Sequence, residues 1–143
     1  MIKVKDFMHY ICNVLGYRSF TGYPHEGFIP LYNSMDSGFM HYTPTVRPDI
    51  AFSLAIGTVL GGVKSVVIAD GISFLEEYSK INKLILAHRC SFLILLYNNT
   101  SDKIPIKTFN MDSSFEDVLK KADNYISKNK KPCAIVFNEG VLL

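Results

Sequence analysis

The chain lacks most features that would place it in a specialised class at sight. No apolar run reaches the roughly 18 residues of a membrane span. The opening MIKVKDF carries charge and no apolar signal core, so export is not expected and a cytoplasmic location is. The three cysteines, Cys12, Cys90 and Cys133, are widely separated and odd in number. They make no metal-ligand spacing and read as buried thiols in a reducing compartment. A formal charge of +2 is too small to point to nucleic acid. The one basic run, KNKKP at 128–132, falls at an expected helix C-terminus, where cations complement the dipole. There is no P-loop and no dinucleotide-binding glycine fingerprint, because GTVLGG ends a helix instead of leading from a strand into a phosphate turn. His9, His25, His41 and His88 are dispersed, and no repeat, linker or low-complexity segment is present.

What is present is a regular alternation of strands and helices across 143 residues, enough for one domain with a proper core. The chain is organised around 47–71, RPDIAFSLAIGTVLGGVKSVVIADG. Pro48 suits a first helical position and Asp49 faces the positive end of the dipole. Ala51, Ala55, Thr58 and Gly62 recur at helical spacing, a small face that lets a helix lie close to a sheet. Gly61-Gly62 ends the helix, and 64–69 follows as a short β-branched strand closed by Asp70-Gly71. A helix, a tight turn and a fully apolar strand make half of a βαβ unit. The expected fold is therefore α/β, three layers (α/β/α) around a mainly parallel sheet. Ligands of such sheets bind beyond the carboxyl ends of the strands, which puts Asp70-Gly71 where chemistry is expected.

The remaining elements follow the same pattern. An amphipathic helix over 3–15 ends at Gly16, and a short strand over 19–21 is cut off by Gly22-Tyr23-Pro24. A helix starts near Glu26 with Pro30 in its first turn, and Gly38 permits a turn into a strand FMHY at 39–42. Residues 72–88 make the longest helical pattern, and 91–97, SFLILLY, the most apolar and most central strand. A weaker strand over 104–109 tolerates Pro105 only at an edge or at its start. Asp112-Ser113-Ser114 caps a helix over 114–129, and 133–137 is a last buried strand.

Taken in series, FTGYP, FIPLY, PDIAFSLAIGTVLGG, VVIADG, FLILLY and KKPCAIVFNEGVL resemble the pyrimidine-binding (PYR) domain of thiamine diphosphate-dependent enzymes. The nearest likeness is to the separate α subunits of sulfopyruvate and phosphonopyruvate decarboxylases. The resemblance covers 1–143 as a single PYR-like domain and implies that family's fold. It implies a thiamine diphosphate pocket shared with a pyrophosphate-binding (PP, β-type) partner chain, which would hold the cofactor's Mg²⁺. It implies a small 2-oxo acid substrate, a hetero-oligomer or a homodimer core, and neither a nucleic-acid nor a membrane partner. It also implies site residues. The family's turn after the first strand is matched by Gly22-Tyr23-Pro24-His25-Glu26, with Pro24 beside the cofactor and His25 and Glu26 as acid–base candidates. The turn after the third strand is matched by Asp70-Gly71-Ile72-Ser73, making Asp70, Gly71 and Ser73 cofactor-side residues. The family's activating glutamate corresponds to Pro48, which can neither donate nor accept a proton. Asp49 is the nearest acid, but one residue turns a helical side chain by about 100°. His41, just before this helix, lies near the presumed site.

Two departures stand out. The family's long substrate-covering loop is reduced to NNTSDK, so any lid is absent or supplied by a partner. Ala69-Asp70-Gly71 with Asn98-Asn99 also imitates the G-D-G and N-N motifs of PP domains, whose Asp and Asn ligate Mg²⁺. A non-catalytic assembly subunit and a PP-type domain are therefore the alternative readings. A sulfonate or phosphonate substrate would need cations, and Arg47 and Arg89 are the arginines near expected element ends.

Overall fold

A computed structural model of the chain describes residues 2–35, 40–112 and 114–141. The elements run α1 (Val4–His9, continued by a π-helical turn, Tyr10–Val14), β1 (Ser19–Gly22), a 3₁₀ turn (Glu26–Phe28), α2 (Ile29–Asn33), β2 (His41–Pro44), α3 (Pro48–Leu60), β3 (Ser65–Asp70), α4 (Gly71–His88), β4 (Leu93–Tyr97), β5 (Lys107–Asn110), α5 (Phe115–Asn129) and β6 (Cys133–Phe137). The six strands form one sheet in the order β2-β1-β3-β4-β6-β5, and every pairing is parallel.

Alternation along the buried strands feeds two separate cores. Val66, Ile68, Leu93, Leu95, Ile135 and Phe137 point to the layer of α1, α2 and α5, packing with Phe7, Ile11, Leu31 and Leu119. Val67, Ala69, Ile94, Leu96 and Ala134 point the other way, to Phe52, Ile56, Phe74 and Ile81 of α3 and α4. Strands apolar on both faces are what a parallel sheet between helical layers requires, so the three-layer architecture follows from period-two burial in strands that have no polar side. The three cysteines are buried free thiols.

Several expected boundaries move. The strand expected at 39–42 is β2, His41–Pro44, and Gly38 and Phe39 lie outside the described residues. The edge strand begins at Lys107, beyond Pro105, because proline cannot donate to the ladder. Ser113 of the proposed cap also lies outside the described residues; Ser114 is the N-cap of α5 without a side-chain cap bond, and Asp112 Oδ1 accepts from the Ser114 N–H at 2.8 Å in the turn before the helix. The small face of α3 is shorter than its spacing suggests. Ala51 and Ala55 are buried, whereas Thr58 is half-buried, with its hydroxyl donating to the Leu54 carbonyl at 2.8 Å. Gly62, with φ of 91°, serves the turn after α3 and is exposed.

Candidate functional site

The chain leaves β1 toward β2 on one side and leaves β3 toward β4 on the other. The sheet's switch point therefore lies between the carboxyl ends of β1 and β3, at Gly22 and Asp70. A crevice opens where two parallel strands send their connections in opposite directions. Three sequence landmarks meet around it. Gly22–Glu26 continues β1, Asp70-Gly71 joins β3 to α4, and the start of α3 is tied alongside. The Thr45 N–H donates to the Gly22 carbonyl at 2.8 Å, the Thr45 hydroxyl to that of Arg47 at 3.0 Å, and the Thr21 hydroxyl to that of Ala51 at 3.0 Å.

Asp70 is the most constrained polar group here. Its side chain is buried at 3% exposure and caps α4, with Oδ2 accepting from the Ser73 N–H at 3.1 Å and from Asn99 Nδ2 at 2.8 Å. Asn99 Oδ1 accepts in turn from the Ile72 N–H at 3.0 Å. The loop after β4 is thus latched across the first turn of α4. Asp70 Oδ1 is buried with no hydrogen-bond partner among the described residues. Burial pushes the Asp70 carboxyl up, but the donors on Asn99 and Ser73, with nearby His25, outweigh it and hold the pKa below the ordinary carboxylate value. A depressed folded pKa stabilises the fold above the unfolded value of about 3.9 and stops doing so as pH falls through the folded pKa. Asp70→Ala is accordingly expected to cost on the order of 1 kcal/mol at pH 7. In urea titrations that difference should shrink as pH drops below about 4.

His25 is fixed from three sides. Its Nδ1 accepts from the Gly27 N–H at 3.1 Å, which puts the proton of the neutral ring on Nε2. Its ring lies 4.6 Å from that of Tyr97, and its own N–H donates to the Tyr32 hydroxyl at 3.1 Å. Tyr32 stacks on Tyr42 at 5.5 Å. Burial pushes both phenols up, Tyr42 to about 12, so both are neutral donors at any ordinary pH. Gly27 is required by this packing, since a Cβ there would enter the Tyr97 ring. Gly27→Ala is expected to cost about 2 kcal/mol, read as a lowered urea midpoint, because His25 and Phe28 hold Tyr97 in place. No loss would mean that the ring yields freely.

The other expected site residues fall as follows. Pro24 and Glu26 are exposed beside His25. Pro48 is the first residue of α3, half-buried, and Asp49 is ion-paired with Arg47 at 2.6 Å. The Arg47 guanidinium lowers the Asp49 pKa, with a smaller pull from Lys80. Gly71 and Ser73 form the first turn of α4. Arg89 follows the C-terminus of α4 and His41 begins β2, so both sit at the amino end of the sheet, away from the crevice. Tyr97, Gly27 and Tyr32 join the site without having been singled out by sequence. The one hint was a tyrosine ending the most apolar strand.

These features define a doubly wound parallel α/β domain whose ligand end is the β1–β3 crevice. No protein-family model matches the chain, and no curated protein matches it. Among solved structures it is similar to a 2-oxoglutarate:ferredoxin oxidoreductase from Magnetococcus marinus with 2-oxoglutarate, coenzyme A and succinyl-CoA bound. The TM-score is 0.75 at 9% identity, over 98% of this chain and 29% of that one. The chain thus spans under a third of that protein, and the likeness is one of fold. What the two share is the layered parallel α/β architecture. The likeness does not single out the sulfopyruvate or phosphonopyruvate decarboxylases.

Proposed function

We propose that this chain is the pyrimidine-side, α-type subunit of a two-chain thiamine diphosphate-dependent enzyme that acts, decarboxylase-like, on a small 2-oxo acid. The observation that carries the reading is the meeting of Gly22–Glu26, the start of α3 and Asp70-Gly71 around one switch-point crevice. The bound 2-oxoglutarate named for the structural neighbour is itself a 2-oxo acid, which supports the substrate class.

The crevice fits the cofactor's ring only as a wall. Pro48 offers no proton and Asp49 is spent on Arg47, so no acid of α3 is free to activate it. When bound, thiamine diphosphate would supply the nucleophilic carbon that 2-oxo acid chemistry requires. This chain's residues shape and dry the pocket: Pro24, Pro48 and the His25–Tyr97 stack give apolar and aromatic surface, and His25 Nε2–H is a donor at its edge. Magnesium and diphosphate fall to the PP-type partner. In this reading Asp70 and Asn99 are structural: Asn99 Oδ1 accepts from the Ile72 N–H and its Nδ2 donates to Asp70 Oδ2. Among the described residues no three His, Cys, Asp or Glu side chains cluster for a metal. The partner's seat in this reading is the outer face of α3, where Ile50 to Leu60 carry no charge and Ile50, Leu54 and Leu60 are exposed.

The missing acid favours a second reading, a non-catalytic assembly subunit with the same docking face. Co-expression with a chain carrying the G-D-G and N-N motifs tests both. Thiamine diphosphate binding that needs both chains, with carbon dioxide released from a 2-oxo acid, supports the first reading. Binding without turnover supports the second, and a chain that neither pairs nor contributes to cofactor binding sinks both. Leu54→Glu should abolish pairing while leaving the fold intact, since Leu54 is 40% exposed.

A further inference from the structure

A second concavity lies at the opposite end of the sheet, away from the crevice. It has a volume of about 500 Å³ and runs between the C-terminal half of α4, the loop leading into β5, α5 and the turn before β6. Its floor is apolar: Ile85, Ile104 and Ile106 rest on the core beneath α4, and Leu86 stands at the lip at 67% exposure. Three lysines from three backbone positions line it, Lys103 from the loop, Lys107 from the first residue of β5 and Lys131 from the turn before β6. No aspartate or glutamate lines it. Among the described residues none of the three lysines has a carboxylate partner, whereas Lys64 and Lys80 do.

Lysines on a solvated face are ordinarily interleaved with acids that cancel their field. Three uncancelled ammonium groups around an apolar floor leave a local excess of positive charge over low-dielectric walls, which concentrates anions. The volume is within the range of small-molecule sites, and an apolar floor with a few polar groups at its rim is the usual build of one. We propose that this groove binds an amphipathic organic anion, a carboxylate or sulfonate on an aliphatic or flat aromatic body, with the body on Ile85, Leu86 and Ile106 and the acid group among Lys103, Lys107 and Lys131. Lysine suits this task because its ammonium is a mobile point charge on a long apolar stem that extends the floor. The site is independent of the crevice and does not rest on the function proposed above.

The test uses the full chain with three probes: anilinonaphthalene sulfonate by fluorescence, and decanoate and 2-naphthoate by calorimetry. The expected result is saturable one-to-one binding that weakens at least 10-fold in the double variant Lys103→Glu/Lys131→Glu. Binding should also weaken as salt is raised, and the lysine on α1 exchanged in Lys5→Glu should not matter. Leu86→Asn should weaken binding without changing its salt dependence. Stronger decanoate binding assigns an aliphatic body and stronger naphthoate binding an aromatic one. Binding of none of the probes would overturn the proposal. So would binding indifferent to the double variant while circular dichroism and melting stay unchanged, or tight binding of an acidic helical peptide in place of all three probes.

Discussion

Pro48→Glu is expected to raise 2-oxo acid turnover by the proposed two-chain complex about 10²- to 10⁴-fold, the range a positioned general acid–base group contributes. Pro48 is the first residue of α3, beside the carboxyl ends of β1 and β2, with its ring half-buried. An N–H at this helical position has no intrahelical acceptor, so proline's lack of one costs nothing, and glutamate's return of one strains nothing. The dipole of α3 favours a carboxylate in its first turn, so stability is expected to change by no more than about 1 kcal/mol. Asp49, the next residue, is ion-paired with Arg47 at 2.6 Å. Release of carbon dioxide under saturating cofactor is the measurement, with circular dichroism as the check on folding. An active complex whose turnover is the same with either residue would remove position 48 from the ring's surroundings.

Phe52→Ala is expected to cost about 4 kcal/mol, the largest loss of any single truncation in the α3–α4 layer. Phe52 is fully buried and lies 5.7 Å, ring to ring, from both Phe74 and Phe92, so its removal empties the junction of α3, α4 and the sheet. The two neighbouring rings are themselves packed in place and cannot fill the gap, so the void persists and adds to the lost transfer energy. Ile50→Ala on the same helix, where the side chain is 41% exposed, is expected to cost under about 1 kcal/mol. Urea unfolding of both variants gives the comparison. A Phe52→Ala loss below about 1.5 kcal/mol would mean that the layer collapses onto the space.

The α3–β3 stretch was readable in advance because its signals are local. Pro48 has a helical φ and lacks an N–H only where a first turn does not use one, Gly61-Gly62 stops the helix, and the β-branched run after it has no polar face to expose. The edge elements were read less well. β2 carries exposed or half-buried side chains, so no period-two pattern marks it, and its register comes from pairing with β1, as in Phe20 with Tyr42. The π-helical turn at Tyr10–Val14 also has no local signal in the sequence; the Ile11 carbonyl within it accepts from the Tyr17 N–H at 3.1 Å.

By itself the sequence determined the layering and the sheet's parallel sense, because buried strands and amphipathic helices alternate and both periods are written in the side chains. It also determined which residues stand at the carboxyl ends of β1 and β3, since Gly22-Tyr23-Pro24 cuts off the first strand and Asp70-Gly71 closes the apolar run of the other. Only the tertiary structure decided what those residues do there. Asp70 spends one oxygen on α4 and Asn99 and leaves the other unpaired, Asp49 turns to Arg47, and Tyr97 lies against His25. Each outcome depends on the distance between groups far apart in the chain, and spacing along a sequence carries no record of that distance.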